Sequence, residues 1–374
     1  MSSGSYCSPK NNNLFTCFSN EDLVKIAKYL QRETGTVIYI PSEFTTESRK
    51  KLWINIKRNI GNLSKCSEDY CMIKNQDIIN ILGKATIEKK FRPEKPSNWK
   101  NNKTTWLSTV DIRKVMRQYE EKHPDFKFIG PTPIDFDKRF NQYYCVNNEL
   151  CNFNLEKLLK QGKKRIGVVF NLDPHHMKGS HWVSLFIDVN TGGSYFFCSY
   201  GVKPNNKIQI LMERVFNQGN RLIKEGKIDI NRMSDNHTVA RTFTVISKNK
   251  IKVVDGKLFV KNMLLGFGSF NGKDVRIDQK TMTKIVDVKK NIVTLEDDIN
   301  IGQNKQYNIV AMKSFRPFYN DTRFQFKNTE CGVYSIYFIE SFLQGKNHDE
   351  IVSKIIHDNE MNKKRNIYYR PNIN

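Results

Sequence analysis

The sequence predicts an α+β protein with a helical N-terminal region and a β-rich insertion. Three observations carry this expectation. Residues 20–91 repeat an apolar period near that of a helix behind Ser, Thr or Asn openings. Two apolar runs, "HWVSLFIDV" and "SYFFCSY", flank "NTGG", the signature of a hairpin. Residues 238–313 break into short β-branched runs separated by "DGK", "NGK" and "KKN", the pattern of a small barrel or a set of hairpins.

Taken in order, residues 1–19 are polar and expected to fray. "NEDLVKIAKYLQRETG" reads as an amphipathic helix with an Asn N-cap, Leu23, Ile26, Ala27 and Leu30 on one face, and a stop near Gly35. "SEFTTESRKKLWINIKRNIGNLS" and "NQDIINILGKATIEKKF" continue the helical period, and "RPEKPSNWKNNK" (92–103) has the prolines and polar residues of a linker. A helix is expected from about Ser108, a buried strand in "KKRIGVVFNLDP", and another helix in "KIQILMERVFNQGNRLI". "CGVYSIYFIESFLQG" is apolar and long enough for a buried helix ending at Gly345; beyond about 358 the chain is basic and poorly patterned.

Composition narrows the function classes. With 39% hydrophobic and 11% aromatic residues the chain is globular in type. No apolar run reaches the roughly 18 residues of a membrane span, and the start lacks the basic-then-apolar pattern of a secretory signal. The chain is therefore expected to be soluble, not secreted, and to have no membrane partner. The eight cysteines form no C-x-x-C pair and no zinc-type cluster, so neither a structural metal nor a cofactor is expected; most should be thiols packed as small apolar residues. A net charge of +23 implies attraction to polyanions, nucleic acid above all. The plainer reading is Lys enrichment from AT-rich codons, since Lys is spread along the chain and no aromatic-interleaved basic motif stands out.

Cysteine chemistry requires a thiolate, a base that generates it and donors for an oxyanion. Cys331 is placed to open the apolar helix, where the helix dipole lowers a thiol pKa. Gly332 permits close backbone approach, His181 opens a strand after "KGS", and Gln325 offers a side-chain amide. Singly each has an ordinary alternative: an inert core cysteine, or a histidine that ends a strand.

In combination the sequence resembles the ubiquitin-like-protein-specific (SUMO) proteases and the related maturation proteases of adenoviruses, poxviruses, asfarviruses and giant viruses. "TWLSTVDI" resembles the entry-helix motif, "GSHWVSLFID" the His-Trp strand, "SYFFCSYG" the aromatic strand that follows, and "QFKNTECGVYSIYF" the Q-x5-C-G motif. The ordered set covers roughly 104–345. "NLDPHHMKGSHW" and the extra N-terminal helical segment lie nearest the large-DNA-virus branch. The resemblance implies a papain-like-geometry cysteine protease core of the adenovirus/SUMO-protease type. Its domain would occupy 101–358, with an insertion at about 225–313, after a helical region and linker at 1–100 and before a basic tail at 359–374. Cys331 is then the nucleophile, His181 the general base and Gln325 the oxyanion-hole side chain. Trp106 and Trp182 match the indole pair that closes over a diglycine segment, admitting only a backbone without side chains. His175 and His176 are bystanders in the loop before the strand.

One position departs from the family. The residue that orients the histidine aligns with Cys198, a weak acceptor. The alternatives are a Cys-His dyad, Cys198 itself as the orienter, a carboxylate or amide from Asp173, Asp188 or Asn190, and an inactive enzyme. Asp188 lies seven residues along the strand from His181, roughly 20 Å away. Glu330, where the SUMO proteases often carry Asp, is a milder difference. The implied task is processing of viral capsid or core precursors at Gly-Gly-X sites, in the virion or in a viral factory of the host cytoplasm. Two other readings stand beside it: a deconjugase removing SUMO or ubiquitin from host proteins, and a non-catalytic nucleic-acid-binding or scaffold protein that keeps the fold. Effector acetyltransferases of the same clan use a similar Cys and His.

Overall fold

In the computed structural model, residues 6–11, 15–64, 69–234, 238–272, 274–299, 301 and 307–372 are described. They divide into two compact units, one of 1–124, 324–340 and 355–374, the other of 125–323 and 341–354.

The first unit is helical. Its opening helix, Asn20–Thr34, is capped by Ser19 rather than by Asn20: the Ser19 hydroxyl accepts from the Asp22 N–H and the Asp22 carboxylate accepts from the Ser19 N–H. This is a reciprocal capping box, which uses the shorter hydroxyl and leaves Asn20 inside the first turn. Gly35 closes the helix at φ 68°. Leu23, Ile26, Ala27 and Leu30 are buried with Leu52, Trp53 and Ile56 of helix Thr46–Ser64 and with Ile78 and Leu82 of helix Gln76–Leu82.

Three stretches depart from their compositional reading. Cys7, Cys17 and Phe18, in the segment expected to fray, are buried in this core, and Cys7 bridges Phe91. Arg92 and Trp99 of the proline-rich 92–103 stretch are buried. The tail forms a helix, Asp358–Tyr368, whose Met361, Arg365 and Tyr368 are buried. These residues are polar or isolated in sequence, so their burial depends on distant partners and leaves no local period. Cysteine pairing also differs from expectation: Cys7 bonds to Cys17 and Cys145 to Cys151, while Cys198 and Cys331 are buried and outside any disulfide. The Cα separations, 5.2 and 6.3 Å, lie in the disulfide range, which spacing along the chain does not reveal. Cys66 lies outside the described residues.

The second unit contains two sheets. Strands β1 (Phe126–Pro133), β2 (Arg165–Asn171), β3 (Trp182–Asp188) and β4 (Gly193–Phe197) are followed by β5 (Val239–Arg241), β6 (Phe243–Ser247), β7 (Lys250–Val253) and β8 (Leu264–Phe270). Then come β9 (Val275–Ile277), β10 (Thr283–Lys289), β11 (Ile292–Leu295), β12 (Ile309–Met312) and β13 (Arg316–Tyr319). Among the described residues the first sheet runs β1-β2-β3-β4-β13, with β2-β3-β4 antiparallel and both outer pairings parallel. Its three inner strands are buried almost end to end, which is why they read as continuous apolar runs rather than as alternation. The hairpin at 190–193 sets the β3–β4 register with Asp188 opposite Gly193. Helix Asn206–Lys224, capped by Asn205, buries Ile208, Leu211, Met212, Val215, Leu222 and Ile223.

The 238–313 stretch supplies the second sheet, β5-β12-β8-β10-β11-β7-β6 with β9 on β8. It has its own core, including Ile251, Leu265, Phe267, Ile285, Val293 and Val310.

Gly201 turns the chain after β4 at φ 72°, and a Cβ there would stand 2.8 Å from the Asp321 carbonyl oxygen. Its N–H donates to the Cys198 carbonyl at 2.9 Å. Gly201→Ala should therefore combine a left-handed backbone with a backbone clash, costing about 1–3 kcal/mol and several degrees of Tm in a thermal melt. An unchanged Tm would show that this turn relaxes freely.

Candidate active site

His181 lies in the second unit, immediately before β3. The preceding loop is shaped by Asn171 and Asp173: the Asn171 carboxamide oxygen accepts from the Asp173 and Ser180 N–H groups at 3.0 and 3.2 Å, and Asp173 accepts from the Ser180 hydroxyl at 2.6 Å. The His181 carbonyl accepts from the Leu172 N–H at 2.9 Å. The ring is buried, with its centroid 4.5 Å from that of Tyr200 and the planes 21° apart. The Arg323 guanidinium lies 5.4 Å from the Tyr200 ring centroid.

The group beside the second ring nitrogen is Cys198, whose Sγ is 3.4 Å from His181 Nε2. Of the alternatives, Asp173 is engaged by Ser180, and Asp188 accepts from the backbone and side-chain N–H groups of Asn190. Cys198 is itself fixed by Asn320, which accepts from the Cys198 N–H at 2.9 Å and donates to its carbonyl at 2.8 Å. Burial pushes the Cys198 thiol up, against a smaller pull downwards from the backbone N–H groups of Val202, Tyr200 and Gly201. Burial also pushes the His181 imidazole down to about 4. Both groups are therefore neutral near pH 7, and the sulfur gives the ring a soft, weak partner.

Cys331 lies in the first unit as the first residue of helix Cys331–Leu343. The Glu330 carbonyl accepts from the Tyr334 N–H at 2.9 Å and closes the first turn. The sulfur thus sits at the positive end of the helix dipole. Cys331 is 1% exposed. Further along the same helix, Glu340 accepts from the Tyr119 and Tyr368 hydroxyls, each at 2.5 Å.

Gln325 is fully buried. Its flanks are clamped: the Tyr334 hydroxyl is 3.1 Å from the Phe324 carbonyl, and the Asp358 carboxylate accepts from the Phe326 and Lys327 N–H groups at 2.9 and 3.0 Å. Gly332 follows Cys331 within the buried helix. Trp106, half-buried, precedes the Ser108 capping box of helix Thr109–Lys122, and Trp182 is the buried first residue of β3, opposite Asn171.

The sequence reading did not single out Asn320, Tyr200, Asp358 or Arg365. Asn320 acts on Cys198 across 122 residues and Asp358 on Phe326 across 32, so no local spacing marks either. Two groups among the described residues bring three donor atoms within 4.8 Å of one another, the first being Asp135 with His175 and His176, the second Cys7, Cys17 and Asp69. Asp135 already accepts from the His175 N–H at 2.9 Å and faces its Nδ1 at 2.6 Å, and the two sulfurs of the second group are joined.

The depressed His181 pKa has a consequence for stability. The unfolded imidazole takes a proton below 6.5 and the folded one only below about 4, so acid favours the unfolded chain. The contribution of the neutral ring is complete above pH 6.5 and is lost as pH falls through 4. Urea melts at pH 7 and pH 4.5 should show wild type losing roughly 2–3 kcal/mol more than His181→Gln. Equal losses would place the ring in water.

Comparison with known proteins bears on this arrangement. Residues 270–374 match the model of the Ulp1 protease family, C-terminal catalytic domain. A thiol protease of Acanthamoeba polyphaga mimivirus is 26% identical over 375 residues, covering 96% of this chain and 90% of that protein. Two crystal structures of an ASFV protease, one of them the selenomethionine form, share the fold. Each is 16% identical and covers 98% of this chain and 96% of its own, with TM-scores of 0.51 and 0.53. The protein is a cysteine protease whose residues 270–374 match the Ulp1-type catalytic domain.

Proposed function

We propose that the protein is an endopeptidase that cleaves after Gly-Gly-like motifs in viral structural precursors, with Cys331 as nucleophile and His181 as its base. The observation that carries this reading is the place of Cys331: the first residue of a buried helix, inside the stretch that matches a Ulp1-type catalytic domain. The Cys331 thiolate attacks the carbonyl carbon of the second glycine. The Gln325 amide and a backbone N–H near Cys331 hold the oxyanion, and the His181 imidazolium protonates the leaving amine. Water then hydrolyses the thioester, and His181 takes its proton. Trp106 and Trp182 restrict the residues before the scissile bond to those lacking side chains, and Gly332 leaves room for the backbone. Cys198 orients the ring by accepting from Nε2–H, which leaves Nδ1 as the base. The protease domain is taken as 101–358, with the helical region at 1–100, the insertion at about 225–313 and the tail at 359–374 as adjuncts. The working place is the assembling virion or the host cytoplasm, where the +23 charge would keep the enzyme close to packaged nucleic acid.

The test is cleavage of Gly-Gly-X peptides and precursor proteins, with and without DNA, beside SUMO and ubiquitin fusions. Cys331→Ala should abolish turnover, and His181→Ala should reduce kcat/KM by about 10²–10⁴. Preference for the fusions would move the function to deconjugation, and an active Cys331→Ala enzyme would overturn the mechanism.

Cys198 offers a separate check. Because sulfur accepts weakly, Cys198→Ala should lower kcat/KM by less than about tenfold. Cys198→Asp sets a carboxylate beside the imidazolium and should move the alkaline limb of the pH–rate profile to higher pH. An unmoved limb would mean that position 198 does not govern the ring.

A further inference from the structure

The tail helix Asp358–Tyr368 touches the Gln325–Cys331 segment at two places. Asp358 accepts from the Phe326 and Lys327 N–H groups. Two turns later, Arg365 meets the residue directly before the nucleophile: its Nε donates to Glu330 Oε2 at 2.7 Å, with Arg365 3% and Glu330 1% exposed. Its Nη2 donates to the Thr329 carbonyl at 3.1 Å and its Nη1 to the Thr105 carbonyl at 2.7 Å, the latter one residue before Trp106. The guanidinium carbon lies 4.5 Å from the centroid of the Trp99 ring. The other Glu330 oxygen accepts from the Asn362 side chain at 2.8 Å and the Thr329 hydroxyl at 3.2 Å.

We propose that Arg365 is a positioning residue for the cysteine chemistry, acting through Glu330. The inference rests on the reading of Cys331 as nucleophile and assigns Arg365 two effects. The first is geometric. The rigid fork holds the Thr329 carbonyl and the Glu330 carboxylate together, fixing the backbone that aims the Cys331 sulfur and its first N–H groups. The same guanidinium pins the loop segment that carries Trp106. The second is electrostatic. A buried carboxylate one residue from a sulfur opposes thiolate formation, and Arg365 cancels that charge. Ordinary surface pairing would do neither, because water would screen it.

The test uses the full chain and compares Arg365→Gln, Arg365→Lys, Glu330→Gln and the double variant Glu330→Gln/Arg365→Gln. Three quantities are measured: Tm, kcat and KM on a Gly-Gly-X peptide, and the pH midpoint of Cys331 alkylation by iodoacetamide, read by peptide mass spectrometry. Arg365→Gln should raise the alkylation midpoint by about one pH unit. It should also lower kcat about 10–100-fold while KM changes less than about threefold. Arg365→Lys keeps the charge but not the fork, so the midpoint should stay and kcat should fall by a smaller factor. The double variant removes both charges and should return the midpoint to the wild-type value while kcat stays low.

A midpoint that Arg365→Gln leaves in place, or that the double variant fails to restore, would overturn the proposal and reduce Arg365 to a packing role seen only in Tm. If Arg365→Gln does not fold, Glu330→Gln decides the same question: it leaves the guanidinium charge uncancelled and should lower the midpoint, and an unmoved midpoint would overturn the proposal. Failure of the underlying reading looks different. In that case wild-type Cys331 is alkylated no faster than Cys198, and Cys331→Ala retains activity.

Discussion

Dryness around His181 and Cys331, each within its own unit, is the constraint on which their surroundings depend. His181 is 8% exposed and Cys331 1%. In water an imidazole and a thiol ionise independently at ordinary cost; buried, each resists charge unless something nearby compensates it. The chain supplies compensation by geometry that only folding creates. At Cys331 it is a helix N-terminus, where aligned backbone dipoles concentrate partial positive charge. At His181 it is a stacked tyrosine and a thiol, neither charged, and the ring is accordingly held neutral. A neutral ring can receive a proton, which is the state a general base must start from.

The supports around these side chains make them single-valued. The inner strands of the first sheet are buried on both faces, so a shift of β3 by one residue would move Trp182 and every following side chain to the opposite face. The hairpin at 190–193 excludes that shift by fixing Asp188 against Gly193. On the other unit, Tyr334 and Asp358 fix the backbone beside Gln325, and the Glu330–Arg365 pair fixes that beside Cys331. Each support is a hydrogen bond to backbone or a pair of buried charges, whose loss leaves an unsatisfied group behind.

How much of this was legible in the sequence depended on how local the cause is. The hairpin, the helix opening at Cys331, the capped helix after Ser108 and the strands of 238–313 all follow from periods and turn residues a few positions apart. The first helix was read correctly with its cap misplaced by one residue, because Asn20 and Ser19 are both good caps and only the Asp22 contact separates them. The buried N-terminal segment, the disulfides among the described residues and the tail helix leave no such local mark. In each case burial is decided by a partner far away, as when Phe91 bridges Cys7 or Glu330 receives Arg365. Composition marks such residues as polar or isolated, and a basic tail looks solvated until its buried arginines find carboxylates.

Cys198 shows why a departure from a family pattern need not be a defect. A carboxylate beside His181 would have to be buried with the ring, and its desolvation would be repaid only by a permanent imidazolium. A thiol carries no such cost. Asn320 clamps its backbone on both sides, so the sulfur is held at 3.4 Å from Nε2 by the frame rather than by its own attraction to the ring. Orientation is thereby separated from charge. The ring is aimed by packing against Tyr200 and by the position of the sulfur, while its basicity is left low by burial. With a thiol rather than a carboxylate at Nε2, the ring has no carboxylate there to hold it protonated.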